Sequence, residues 1–444
     1  MPSGGNPKRT ALLPTGVRPG TVTPADRFDR RRRTRLVLLA SIVGGLLTAL
    51  FYALLRPSPN ITFGVFYAGA ENAMVGRVVY DTEYGLYVYT PVVLLLFYPF
   101  AFLFDLPTAV LAFRLFNLVW VAGYAAVVAD FVGDVADVGR VDRLLVAGFV
   151  AGTVYPVTIV ATANMGIIFG SLLGLGFVLL ERDRPSGGAV WALASLVKGF
   201  PALWGLYLLR TRRLRAVVAA VVTGGGATLL GIALYGIDAY RRFFTVAATS
   251  RVRIQSFAGG NSPDNEAVTP IRPLAQLFPG VDPAVWTPVI VAVVVPLTAA
   301  AYYLLSTDDL TDRATLLLAT VVAVTFAMPT SQDLDVYLVY VPLVVLLFVE
   351  RDRTVHGLYA VGTLFLAYNV GRGEVRSVAA AVDRGLSETI MVVADPVLAF
   401  ASMPLYGLIL LYAGCLTKAW RRGRQRGRVA HLRRRLGLAG PSTE

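Results

Sequence analysis

The chain has 444 residues, of which 56% are hydrophobic and 16% charged, with a mean hydropathy of +0.63. That balance is too apolar for a soluble domain and points to an all-α polytopic membrane protein. The net charge of +13 does not point to nucleic acid, because Arg30 to Arg33 and Arg35 precede the first apolar run and Arg421, Arg422, Arg424, Arg426, Arg428 and Arg433 to Arg435 follow the last. Charge placed there sets topology and attracts anionic lipid headgroups.

Residues 1–29 hold no apolar core of a secretory signal, and 1–34 read as a disordered basic cytoplasmic tail. Apolar runs then follow near 35–55, 88–104, 109–130, 143–160, 165–181, 187–209, 215–237, 284–306, 314–329, 336–349, 355–372 and 396–416. Most are long enough for a hydrocarbon core of about 30 Å, so about 12 transmembrane helices are expected within a membrane domain over 35–416. An even number returns the chain to the side it started from, which matches a second basic tail at 417–444. Loops near 56–87, 238–283 and 373–395 then fall on the outer side of the membrane, opposite the two tails.

Two of the runs are interrupted. The sequence ATANMG at 161–166 breaks the 143–181 region, which reads as two tilted spans or as a partly re-entrant hairpin. The sixth run contains Lys198 and then Gly199-Phe200-Pro201, and a proline there removes a backbone donor, so the helix is predicted to kink or split. An ammonium within a span costs about 2.5 to 3.5 kcal/mol on insertion scales and ordinarily faces a cavity or a partner. Arg114, one turn before Asn117, raises the same question nearer a helix end; the plainer reading of both cations is snorkelling.

Carboxylates on the outer side are the candidates for acid–base chemistry. Glu71 ends FYAGAE, which could form a short interfacial helix, Asp81 and Glu83 lie between Tyr80 and Tyr84, and Asp333 and Asp335 occupy the turn PTSQDLDVY. Such groups can act as general bases, or they can simply solvate a loop beside an aromatic belt. Arg251, Arg253, Asn261 and Arg272 lie in the 238–283 loop, and arginines there can grip a phosphate with two parallel hydrogen bonds. Cys415 is the only cysteine, and His356 and His431 sit beside basic clusters, so neither a disulfide nor a metal site is expected.

Four stretches, in order, resemble glycosyltransferase family 87, the polyprenyl-phosphate-mannose-dependent enzymes of the GT-C class. They are VFYAGAENAMVGRVVYDTEYGLYVYTPVVLLLFYPFAFL, LERDRPSGGAVWALASLVKGFPALWGLYLLRTRRLRA, GGNSPDNEAVTPIRPL and PTSQDLDVYLVYVPLVVLLF. In the first, Tyr67, Ala68, Gly76, Tyr80, Tyr89 and Pro91 stand where the family pattern has them. The resemblance implies a GT-C-like bundle in the cell membrane. It implies transfer of a hexose from a polyprenyl or dolichyl phosphate donor to an extracytoplasmic glycan, glycolipid or glycoprotein, with inversion and with no cofactor. Lys198 and the outer arginines would then stabilise the leaving phosphate, with Asn261, Tyr80 and Tyr89 lining the substrate site.

One departure is specific. The family's expected base is an aspartate at the start of the first loop, four positions ahead of its first tyrosine, and counting back from Phe66 and Tyr67 that position here is Thr62. A threonine hydroxyl cannot serve as a general base at neutral pH. The base is then Glu71 or Asp81, or it is Asp333 or Asp335, or the chain has left sugar transfer for movement of a lipid-linked sugar or a subunit role in a glycosylation complex. A broken helix carrying a charge at mid-membrane also suits a transport pathway.

Overall fold

The computed structural model describes residues 24–55, 61–248, 267–329, 331–372, 375, 379 and 384–435. Among them the architecture is helical, and its one pair of strands is two residues each: β1, Asp81–Thr82, lies antiparallel to β2, Gly85–Leu86, with Asp81 opposite Leu86. Before the strands come α1, Pro24–Leu55, and α2, Ile61–Met74. After them a 3-10 turn at Pro91–Leu96 leads into α3, Tyr98–Leu103, and α4, Leu106–Ala136. Asp105 caps α4 by accepting from the Thr108 amide at 3.2 Å, and the left-handed Asp137 (φ 49°) ends it.

Next come α5, Arg140–Gly152, α6, Val154–Ala161, α7, Gly166–Glu181, α8, Ser186–Val197, α9, Gly205–Arg210, α10, Leu214–Tyr235, and α11, Ile237–Arg242. The later elements are α12, Ile271–Leu277, α13, Trp286–Leu304, α14, Leu310–Ala327, and a 3-10 turn at Asp333–Val339 that runs into α15, Tyr340–Val349. They are followed by α16, Arg353–Ala367, α17, Arg384–Phe400, and α18, Met403–Arg435.

Five of these helices are long and apolar enough to cross a membrane, and seven spans result if the bent pairs α5–α6 (44°) and α17–α18 (50°) each count as one. The expectation of about twelve is met only in part, because several apolar runs fold into pieces shorter than a bilayer. The polar break at 162–165 falls where ATANMG predicts it, between α6 and α7.

Charged side chains gather at one end of the bundle, here the basic end. Arg35 pairs with Asp142 at 2.5 Å, Arg31 donates to the Asp137 carbonyl at 2.8 Å, and Arg213 and Arg313 converge on Glu181 at 3.1 and 2.5 Å. Lys418 meets Glu350 at 2.5 Å, Arg422 meets Asp309 at 2.8 Å, and Arg421 pairs with Asp352. These residues come from the first or last turns of α4, α5, α7, α10, α14, α15 and α16, from the N-terminal part of α1 and from the middle of α18. A charge layer of this kind belongs at a membrane–water boundary, where water shares the cost of the ions.

Tracing the chain between ends corrects two expected spans. α4 has 31 residues, about 46 Å of helix. Its last turn is at the basic end, so its first turn, where the Tyr67 hydroxyl donates to the Phe104 carbonyl at 3.0 Å, is at the opposite end. The segment 88–104 therefore does not cross; its rings pack along α2 instead, with Phe97 stacked on Phe66 at 4.5 Å and edge-on to Phe63 at 6.1 Å. The 187–209 run does not cross either. α8 is 12 residues, about 18 Å, and α9 returns to the basic end, where Tyr207 reaches Glu181 and Arg210 donates to the Tyr302 carbonyl. Trp191 on the outgoing arm lies edge-on to Trp204 and Tyr207 on the returning arm, at 5.9 and 5.5 Å.

Small residues let this hairpin sit deep among its neighbours, as they do wherever membrane helices approach closely. A Cβ on Gly187 would meet the Gly176 carbonyl of α7 at 2.5 Å, and one on Gly188 would meet the Ala216 carbonyl of α10 at 1.9 Å. α14 and α15 form the buried centre, whereas α10 and α13 turn Val221, Val222, Leu229 and Val293 outward as a lipid-facing surface.

Candidate functional site

The hairpin tip carries the site. α8 stops at Val197 because Gly199 has the lowest helix propensity of any residue but proline and Pro201 has no amide hydrogen to donate. Lys198, the residue at the stop, still donates its amide to the Ala194 carbonyl at 3.2 Å, while its side chain leaves the hairpin. Its ammonium forms an ion pair with Asp335 on the 3-10 turn ahead of α15 and lies 5.4 Å from the centre of the Phe169 ring. The Asp335 carboxylate is 7% exposed, and its second oxygen accepts from the Gln332 amide at 3.3 Å. Both oxygens are thus engaged, as a buried carboxylate requires.

Asp333, two residues earlier, is also buried. Its oxygens accept from the Leu334 amide at 2.7 Å and from the Asn369 side-chain amide at 2.5 Å. The turn is held from the other side by a single β-bridge between Ala267 and Gln332 and by the Val268 amide on the Ser331 carbonyl at 3.0 Å. Arg272 lies just beyond, on α12. Its guanidinium is buried and donates to the Leu398 carbonyl at 3.0 Å, beside Gln276 on the Ala399 carbonyl, so it fastens α12 to the end of α17.

The tyrosine-rich loop closes on the same tip. Thr90 donates from its hydroxyl to the Leu196 carbonyl at 2.7 Å, two residues before Lys198. Immediately before Thr90, Tyr89 packs its ring on Tyr87 at 5.6 Å and on Phe66 at 5.1 Å, and Tyr80 lies 5.9 Å from Tyr87. Burial, and then the neighbouring Tyr240, push the Tyr80 hydroxyl well above the ordinary tyrosine range, so it stays a neutral donor. The Tyr80 hydroxyl has no hydrogen-bond partner among the described residues, although the Tyr80 carbonyl accepts from the Tyr87 amide at 3.2 Å.

Glu71 lies on the exposed side of α2, and burial followed by the charge of Glu71 raises the Tyr67 hydroxyl above its usual value. Thr62 is in the first turn of the same helix. Nine residues of helix separate the two, about 13 Å along the axis and half a turn around it, so Glu71 faces away from the Thr62 side. Asp81 sits on β1 opposite Leu86. Arg251, Arg253 and Asn261 lie outside the described residues.

Lys198, Asp335 and the tyrosine loop are therefore brought together, while Glu71 and Arg272 are placed elsewhere: one at the surface of α2, the other inside the α12–α17 contact. Sequence reading did not single out Thr90, Gln332, Phe169 or Asn369. Asn369 alone left a signal, a polar side chain at the end of an apolar run. Among the described residues no group of three His, Cys, Asp or Glu could hold a metal ion.

No curated protein sequence and no solved structure matches the chain. The family model of glycosyltransferase family 87 matches residues 87–329. That stretch includes Tyr89, Lys198 and Arg272, and leaves Glu71, Tyr80, Asp81, Asp333 and Asp335 outside it. The match covers more than half of the sequence, runs through the hairpin and the helices around it, and falls on a predominantly helical architecture with several helices long and apolar enough to cross a membrane: the chain belongs to glycosyltransferase family 87.

Proposed function

We propose that this membrane glycosyltransferase moves a hexose, mannose being the first choice, from a polyprenyl or dolichyl phosphate donor to a glycan, glycolipid or glycoprotein acceptor outside the cell membrane. Both termini lie in the cytoplasm in this reading. The observation that carries it is the Lys198 ammonium at the hairpin tip, oriented by the buried Asp335 beside the tyrosine loop. A cation prepaid in position stabilises the charge that develops on a departing lipid phosphate. The acceptor oxygen forms a bond to the anomeric carbon as the bond from that carbon to the phosphate oxygen breaks, with inversion, and the acceptor's proton passes to a carboxylate.

Asp333 and Asp335 have both oxygens engaged, which suits positioning roles. Glu71, exposed on α2 away from the tip but with its charge beside Tyr67 and beside Tyr84 of the tyrosine loop, remains the first choice of base for an acceptor that enters along that loop, with Asp81 next. Because Glu71 faces away from the Thr62 side, this base would meet the acceptor from another direction than an aspartate at position 62.

The deciding assay is sugar transfer from a polyprenyl phosphate donor in membranes. Lys198→Met is expected to lower the rate at least a hundredfold, and Glu71→Gln to lower it by a similar factor. Full activity in Glu71→Gln would remove Glu71 from the base role. Its counterpart in liposomes is movement of a labelled polyprenyl-phosphate sugar with its headgroup intact; that result, without transfer, would replace the transferase reading with a transporter.

A further inference from the structure

At the basic end, far from the hairpin tip, a groove of about 510 Å³ opens between the start of α1 and α5. Its polar rim is Arg31, Arg32 and Arg35, and its floor includes Leu36, Leu39 and Val141. Arg32, Leu36 and Leu39 stand at i, i+4 and i+7 of α1, so they lie on one face, with the cation at the charged end and the leucines one and two turns towards the middle of the span. The three apolar side chains are 58, 51 and 59% exposed, and no described residue covers them.

The charges are not balanced within the groove. Arg35 is bound through Nε and Nη2 to Asp142 at 2.5 and 3.0 Å, and Arg31 spends one N–H on the Asp137 carbonyl, a neutral group. The Arg32 side chain, exposed on α1, has no ion pair or hydrogen bond among the described residues. Three guanidinium groups against one carboxylate leave an excess of two positive charges over an apolar floor. None of the residues that line the groove is a carboxylate, so a zwitterionic headgroup finds no partner for its ammonium among them.

We infer that this groove is a binding site for an anionic phospholipid, with the phosphodiester between Arg32 and the free edges of Arg31 and Arg35 and an acyl chain along Leu36, Leu39 and Val141. A basic pocket between helices at the membrane boundary has the complementary arrangement for such a lipid, a charged head above a hydrocarbon tail. Site and occupant are independent of the sugar-transfer reading, because no residue is shared with the hairpin tip.

The test uses the full-length protein purified in detergent and incubated with equal amounts of phosphatidylglycerol and phosphatidylcholine of identical acyl chains, with retained lipid counted by native mass spectrometry. Wild type is expected to retain phosphatidylglycerol in preference. Arg32→Gln, which removes an exposed charge, should cut that preference roughly fivefold. Val141→Trp, which fills the floor and leaves the charge unchanged, should cut it as well. Arg33→Gln, on the same helix turn and paired with Asp29 instead, should not. Equal retention of the two lipids by wild type would overturn the proposal. So would a loss in Arg33→Gln as large as in Arg32→Gln with Val141→Trp unaffected, since that pattern marks diffuse surface attraction. A photo-crosslink from position 145 to residues 1–23, with no lipid retained, would assign the groove to the chain's own N-terminal segment.

Discussion

The Lys198 ammonium is held by the Asp335 carboxylate, a residue 137 positions further along the chain. The pair joins the tip of a hairpin that enters from the basic end to a turn at the head of one of the most buried helices, so it fixes both the depth of the tip and the direction of the cation.

Removing one member of this pair leaves the other buried without a counter-ion. Lys198→Met and Asp335→Leu are each expected to lower stability by about 3 to 5 kcal/mol. The double variant should be less damaged than the sum, with a coupling energy of about 1 to 3 kcal/mol. Heat inactivation of the four proteins in detergent measures the cycle; strict additivity would show that the two side chains do not interact.

The hairpin depends on two close helix approaches as well. Gly188→Ala places a methyl group where the Ala216 carbonyl already stands, at 1.9 Å, and overpacking of this kind costs about 1 to 3 kcal/mol. Gly225→Ala, with nothing within 4 Å of the added carbon, is the control and should be neutral or slightly stabilising. Thermal unfolding midpoints decide between them, and equal midpoints would mean that α10 does not pack closely on α8.

Glu181 anchors the returning arm through Tyr207 and the basic end through Arg213 and Arg313, and its side chain is 3% exposed. Glu181→Gln should therefore cost about 3 kcal/mol or more, because two partly buried guanidinium groups lose their counter-ion. Asp29→Asn, which breaks an exposed pair with Arg33, should cost less than about 0.5 kcal/mol. Similar losses in both would contradict the burial of the Glu181 cluster.

Asp352 gives the pH dependence. Burial by itself would raise its carboxyl, but the Arg421 guanidinium and the amides of Val355 and Thr354 outweigh it and hold it below its ordinary value of 3.8. A depressed carboxyl contributes stability above its unfolded value and loses it as the pH falls through the folded one. Asp352→Asn should thus be less stable than wild type at pH 7, by about 0.5 kcal/mol for this half-exposed pair. The difference should shrink below pH 3.8; a gap that stays constant down to pH 2 would exclude the ionic contribution.

Some of this was present in the residues themselves. Apolar runs bounded by arginine clusters require a membrane protein, since no soluble core could bury so much hydrocarbon. The sequence Lys198-Gly199-Phe200-Pro201 requires a helix to stop, because a missing amide hydrogen and a residue without a side chain act locally. The same holds for ATANMG. The likeness to glycosyltransferase family 87 was also legible, because it rests on ordered motifs within and around 87–329.

The course of the chain beyond each stop is not a local property, and only the tertiary structure decided it. Whether a chain continues or reverses after a proline depends on the surfaces its next residues pack against, and here Trp204 and Tyr207 find Trp191 and Glu181 back towards the basic end. The 88–104 run is apolar enough to cross but is recruited by the rings of α2 instead. Lys198 announced a cost within the span; that the group meeting the cost is Asp335, and neither Glu71 nor Asp333, is a fact of distance across 137 residues, which periodicity and composition do not carry.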